Sequence, residues 1–400
     1  MTGPEPEPSD HDDIQPGDPH ASADQPALAP MSEEATDPPD PPDPAGTADS
    51  ADPPDSVDPV DPADTPDSRD PIPPDPASAS AAPSSGVMSL FRFTIEGRRA
   101  PGLFVGGWIA LLTGAGATFI GLLAGPTIAG VILFVLGMVV VLVALVLLGG
   151  SQAMERRAGG AAYAGPSPIL TFLAVVVGWY LAAIVVLTPL QLLKVQIEGP
   201  ALTLLGIGLQ AMVVLLILRI MVVGAEALTW AEMGLRRPDR QALADFVSGA
   251  LVAGPVVLVT AIAVALLVSI IGQQPASPLP PTGSSTGLLV NLLAGAIIAP
   301  VYEELFFRGF AQTAWLRMSG ARAAIIRAAT LFAFVHILDQ SGDTFGAAFG
   351  IAIVAAGARV PVALALGYVF NRRGSLWASI GLHATFNAIL LIVAERALSA

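Results

Sequence analysis

The chain has 400 residues, of which 53% are hydrophobic and 13% charged, and its mean hydropathy is +0.65. These values exclude an ordinary soluble domain and point to a polytopic membrane protein. The formal charge of −14 is uneven: residues 1–87 hold 21 of the 33 acidic groups and one basic group, Arg69, a net of −20 that leaves +6 for the remainder.

Residues 1–87 are rich in Pro, Asp, Ala and Ser, with near-repeats such as PDPPDP (39–44) and DPVDPADTPDSRDP (58–71). So few apolar groups cannot offset the entropy of ordering, and proline blocks helices, so a disordered, partly polyproline-II tail is expected. Its main reading is an acidic solubilising extension, and docking of an unidentified partner is the alternative. The first residues show neither a basic stretch nor an apolar core, so insertion is expected to use an internal transmembrane segment.

From residue 101 onward, apolar runs long enough to cross the hydrocarbon core alternate with short polar connections. About nine spans are expected, near 103–125, 127–149, 168–190, 201–223, 246–271, 288–310, 322–338, 345–370 and 375–396. Arg359 and Pro361 interrupt the eighth, which predicts a broken helix or a re-entrant turn there. Arginines cluster in alternate connections: Arg92, Arg98 and Arg99, then Arg156 and Arg157, then Arg236, Arg237 and Arg240, then Arg317 and Arg322, then Arg372 and Arg373. The other connections are poor in basic residues. This pattern predicts a multi-pass protein of the cell membrane with a cytoplasmic N-terminus and the opposite side for the C-terminus.

The absence of cysteine excludes disulfides, thiolate metal ligands and a cysteine nucleophile. The chemistry must come from other groups, and they gather late in the chain. Glu303 and Glu304 stand side by side in an apolar run, where a charged side chain costs about 2.5–3.5 kcal/mol on insertion scales. Glu304 and Arg308 are four apart and share a helix face, which predicts an intrahelical ion pair that makes the carboxylate tolerable. Glu303 lies about 100° round the helix and has no such partner, so it is the freer carboxylate. Beyond the tail the histidines are His336 and His383, both in apolar spans. Phe332 shares a face with His336, as Asn387 does with His383.

Buried neutral histidines usually satisfy a backbone carbonyl, but here both accompany the glutamate pair. A carboxylate, two imidazoles and an amide suit hydrolysis. Glu303 would draw a proton from water, with or without a metal, while a histidine and Asn387 stabilise a tetrahedral oxyanion. A Glu with two His, here Glu303, His336 and His383, is also a zinc ligand set that leaves a position open for water. No HExxH is present, so the zincin arrangement is absent.

Three segments carry a resemblance. EELFFR (303–308), FAFVH (332–336) and HATFN (383–387) are similar to the EExxxR, FxxxH and HxxxN motifs of the CPBP family, the CAAX prenyl protease or Abi-type intramembrane peptidases, in the family's order. The resemblance covers roughly 288–396. It implies an all-α bundle around a cavity open to the cytosol and the bilayer, with membrane-associated protein or peptide substrates. It further implies that Glu303 and His336 activate water, that Glu304 with Arg308 supports the first carboxylate, and that His383 with Asn387 forms the oxyanion site. The chain then divides into the tail (1–87), N-terminal transmembrane helices (88–286) and a catalytic transmembrane region (287–400). No nucleic-acid partner is expected.

Two other classes compete. A proton-coupled transporter would also bury Glu and His, but it predicts inverted repeats, and no second copy of these motifs occurs upstream. A membrane scaffold of the same fold would keep the helices and lose turnover, against which the complete set of motif residues argues.

Overall fold

The computed structural model describes residues 98–399 except positions 198, 278 and 339. The acidic tail expected over 1–87 lies outside the described residues. Nothing but helices and connections occurs among those described. In chain order the helices are α1 (Pro101–Leu123), α2 (Ile128–Ala158), α3 (Pro168–Leu192), α4 (Gly199–Val223), α5 (Arg240–Ile271), α6 (Ser285–Ser319), α7 (Ala321–Val335), α8 (Phe345–Arg373) and α9 (Leu376–Ser399). Each coincides with an expected span.

Local chemistry sets the helix ends. Thr127, Asp239, Ser284 and Thr344 accept hydrogen bonds from the backbone N–H groups of Gly130, Ala242, Gly287 and Ala347 at 2.8–3.2 Å, capping α2, α5, α6 and α8. Gly272 and Gly374 close α5 and α8 in the left-handed conformation that a Cβ disfavours. Four connections are bound together at one end of the bundle. Arg157 donates to the carbonyl of Ala225 (2.8 Å), Arg317 pairs with Glu232 (2.8 Å), and Leu376 N–H and the Trp377 indole donate to the carbonyls of Gly234 and Arg236 (both 3.0 Å). At the opposite end Glu395 accepts from the N–H groups of Thr282 (2.9 Å) and Ser284 (3.0 Å). The described chain therefore starts at the arginine-rich end and finishes at the other, which is the odd parity that the charge pattern required.

Two expectations need correction. Among the described residues eight helices are long and apolar enough to cross a membrane, and α7 is not one of them. Its 15 residues rise about 22 Å against a hydrocarbon core of about 30 Å. Residues 336–338 and 340–344, between α7 and α8, are not helical, and non-helical backbone is tolerated at membrane depth only where protein or a water-filled cavity surrounds it. The break expected at Arg359–Pro361 is absent: α8 runs unbroken for 29 residues with Pro361 inside it.

Packing places the site. α5 and α9 cross at two glycines: a Cβ on Gly249 would strike the carbonyl of Ala378, and one on Gly381 the carbonyl of Phe246. Only glycine permits this approach, which seats the His383 turn of α9 against the centre of the bundle.

Candidate active site

Two π-helical turns, Leu293–Ile298 and Leu305–Gln312, flank the glutamates on α6. Pro300 has no N–H to give the carbonyl of Ala296, and the first turn falls there. Such bulges re-aim side chains, and they are frequent at functional sites.

The adjacent carboxylates meet opposite surroundings. Glu304 is fully buried and pairs with the equally buried Arg308, Nη1 to Oε1, at 2.7 Å. Arg308 also donates to the carbonyl of Ala363 (3.2 Å) and lies over the Phe332 ring at 4.7 Å. The same Oε1 accepts from Nδ1 of His383 at 2.8 Å. The Glu304–Arg308 pair expected from spacing is present, but it holds His383 and not Glu303. Glu303 is 18% exposed, bonds to no arginine, and faces a cavity of about 800 Å³ enclosed by α4, α5, α6, α8 and α9.

Both imidazoles have a defined tautomer. His336 places Nδ1 2.7 Å from the carbonyl of Phe332. A carbonyl can only accept, so Nδ1 carries the hydrogen and Nε2 keeps its lone pair. The Glu304 carboxylate likewise holds the hydrogen of His383 on Nδ1 and leaves Nε2 facing Glu303 Oε2 at 3.8 Å. Phe332 lies against both rings, with centroids at 4.6 Å from His336 and 5.7 Å from His383. Asn387 lines the cavity and gives one amide hydrogen to the carbonyl of Gly295 in the first π turn, at 2.8 Å. The structure thus brings Glu303, His336, His383 and Asn387 to one cavity, with Glu304, Arg308 and Phe332 packed behind them.

The zinc set is a different matter. An Nδ1–H given to a carboxylate or carbonyl, with Nε2 free, is the form that metal-binding histidines take. Even so, no three His, Asp or Glu side chains converge to hold a metal ion among the described residues.

Further groups at the cavity were not singled out from the sequence as site residues. Tyr302 donates to Oε1 of Gln210 on α4 at 2.6 Å, and its oxygen lies 3.5 Å from Glu303. Arg359 and Thr260 also line the wall. Of the exposed lining residues, Gln274 and Ser277 lie on the connection between α5 and α6, and Ala261, Ala265 and Leu390 lie along α5 and α9.

Residues 285–389 match the family model for type II CAAX prenyl endopeptidases, Rce1-like. That stretch contains the EELFFR, FAFVH and HATFN segments and hence every motif residue placed around the cavity. The α1 to α5 helices fall outside the match, although α4 and α5 supply cavity walls. No curated protein and no solved structure matches the chain.

Proposed function

We propose that the protein is an intramembrane endopeptidase in which Glu303 is the general base. At the level of the family it is a CAAX-type protease of membrane-associated proteins. The observation that carries the finer reading is the unequal setting of the two carboxylates. Glu304 is bound to Arg308 and His383, whereas Glu303 faces the cavity and keeps its lone pairs for water.

In this mechanism a water lies between Glu303 and the free Nε2 of His336. Glu303 takes its proton as the oxygen attacks the scissile carbonyl carbon. The proton then passes to Nε2 of His383, 3.8 Å from Glu303 Oε2. Glu304 stabilises the resulting imidazolium through Nδ1–H, as a carboxylate does for the histidine of a hydrolytic triad. The new Nε2–H and the second amide hydrogen of Asn387 stabilise the oxyanion. Collapse breaks the C–N bond, and the imidazolium proton goes to the leaving amine. No step is routed through a metal.

Wild-type and Glu303→Gln protein, purified in detergent and mixed with membrane extract, test this by sequencing of new peptide N-termini. The wild type should create termini that the variant forms about 10²–10⁴-fold more slowly, the usual worth of a general base, with an unchanged melting temperature. Incubation with a zinc chelator should leave the wild-type rate intact. Identical termini in both samples would favour a scaffold or carrier, and a rate restored by zinc after chelation would replace the metal-free mechanism.

A further inference from the structure

We infer that Gln210, on α4 outside the family-matched segment, is a positioning residue that draws the Tyr302 hydroxyl hydrogen away from Glu303 and so leaves that carboxylate free to take a proton. This rests on the reading of Glu303 as the base and adds to it a group from the N-terminal helices.

Each hydrogen that a carboxylate accepts stabilises its charge and makes it a poorer proton acceptor. Glu304 is such a case, with Arg308 Nη1 at 2.7 Å and His383 Nδ1 at 2.8 Å on one oxygen. Glu303 has a donor at hand as well. Tyr302 is 5% exposed and places its hydroxyl oxygen 3.5 Å from Glu303 Oε1.

A phenol has a single hydrogen to give. Gln210 Oε1 stands 2.6 Å from the same hydroxyl oxygen. That separation suits O–H···O and is shorter than N–H···O bonds run, so the amide oxygen faces the phenol and receives its hydrogen. Oxygens 3.5 Å apart lie beyond the O–H···O range, so Tyr302 gives Glu303 nothing. Packing fixes the arrangement. Val213 and Tyr302 belong to one buried core, with Ile207 and Ala211 of α4 packed against it, which seats Gln210 beside the phenol.

The plainer role for this bond is to fasten α4 to α6 and satisfy a buried phenol, and such a bond is lost equally from either side. The inference demands an asymmetry. Removing the acceptor releases the hydrogen toward Glu303, whereas removing the hydroxyl removes the hydrogen altogether.

The experiment compares full-length Gln210→Met, Tyr302→Phe and the double variant in detergent. Rates are measured on a synthetic peptide spanning a terminus that the wild type creates in membrane extract. Gln210→Met should lower kcat about tenfold, the low end for a hydrogen bond to a charged group, and leave KM unchanged. Tyr302→Phe should lose less, and in its background Gln210→Met should cost nothing further. Replacing both partners of a hydrogen bond by apolar groups of similar shape is nearly neutral, so the double variant should melt close to the wild type. A hydrophobic carbodiimide, which adds to protonated carboxyl groups, gives a readout that needs no turnover. Mass mapping should show its labelling of Glu303 slowed in Gln210→Met and recovered in the double variant.

An unchanged kcat in Gln210→Met, or equal losses from the two single variants, overturns the inference and leaves the peptidase reading intact. Wild-type protein without Glu303-dependent cleavage removes the peptidase reading, and the labelling then decides alone. Slower labelling in Gln210→Met keeps the hydrogen where it is placed here, and equal labelling overturns that placement.

Discussion

The two ends of the helical bundle are built differently. The arginine-rich end is laced together: Arg98 to Glu155, Arg157 to the backbone at Ala225, Arg317 to Glu232, and the start of α9 to the backbone at Gly234 and Arg236. The opposite end is poor in basic groups and is fastened mainly at Glu395, which holds the connection before α6, and at Asn291, which donates to the carbonyl of Pro280 (3.0 Å). The cavity-lining residues Gln274 and Ser277 are exposed at this second end. The comparison teaches that the charges which orient a membrane chain and the opening that admits its ligand are separate features. Reading one does not locate the other.

The largest expected effect is an all-or-none difference between the ends. The chain has no cysteine, so single cysteines report cleanly. With the arginines on the cytoplasmic side, an impermeant thiol reagent added to intact cells should label Ser277→Cys and spare Arg237→Cys, with the reverse in inverted vesicles. Labelling of both from one side would break the comparison, and the mirror result would turn the molecule over.

Ion pairs at different depths sharpen it. Glu304→Gln strands the guanidinium of Arg308 in a fully buried site, and breaking such a pair typically costs about 3–5 kcal/mol. Melting in detergent should fall accordingly, with activity lost as His383 loses the negative charge that stabilises its imidazolium. Adding Arg308→Met should restore part of the stability and none of the activity. A well-folded Glu304→Gln protein beside an unstable Glu303→Gln protein would reverse the assignment of the two carboxylates.

The smallest effect belongs to the arginine-rich surface. The Arg317 guanidinium beside Glu232, followed by hydrogen bonds from Thr229, pulls that carboxyl down to about 2. A depressed carboxyl stabilises the fold above its ordinary range and loses that contribution as pH falls from about 4.5 toward 2. The pair is exposed, so Arg317→Ala should cost no more than about 1 kcal/mol at neutral pH. The difference between variant and wild type should shrink across that acid window and persist above it.

Much of this was legible in the sequence because apolar length and charge bias are long-range signals. All the expected spans are helices, and the residues of the EELFFR, FAFVH and HATFN segments meet around one cavity. Spacing also gave the Glu304–Arg308 pair, since four residues on a helix are neighbours in any fold. It could not give His383, which reaches Glu304 from 79 residues away. The π turns were hidden because periodicity assumes uniform winding. Pro361 suggested a break that neighbouring helices suppress.

The early stop of α7 has a consequence for the shape that a substrate must adopt. His336 stands about 22 Å above the arginine-rich end, which leaves roughly 8 Å of a 30 Å hydrocarbon layer on the open side. At about 3.3 Å per extended residue, two or three residues cover that distance. A membrane-spanning helix approaching from the open side would need to fray only its last turn to present a peptide bond, and its middle could stay wound.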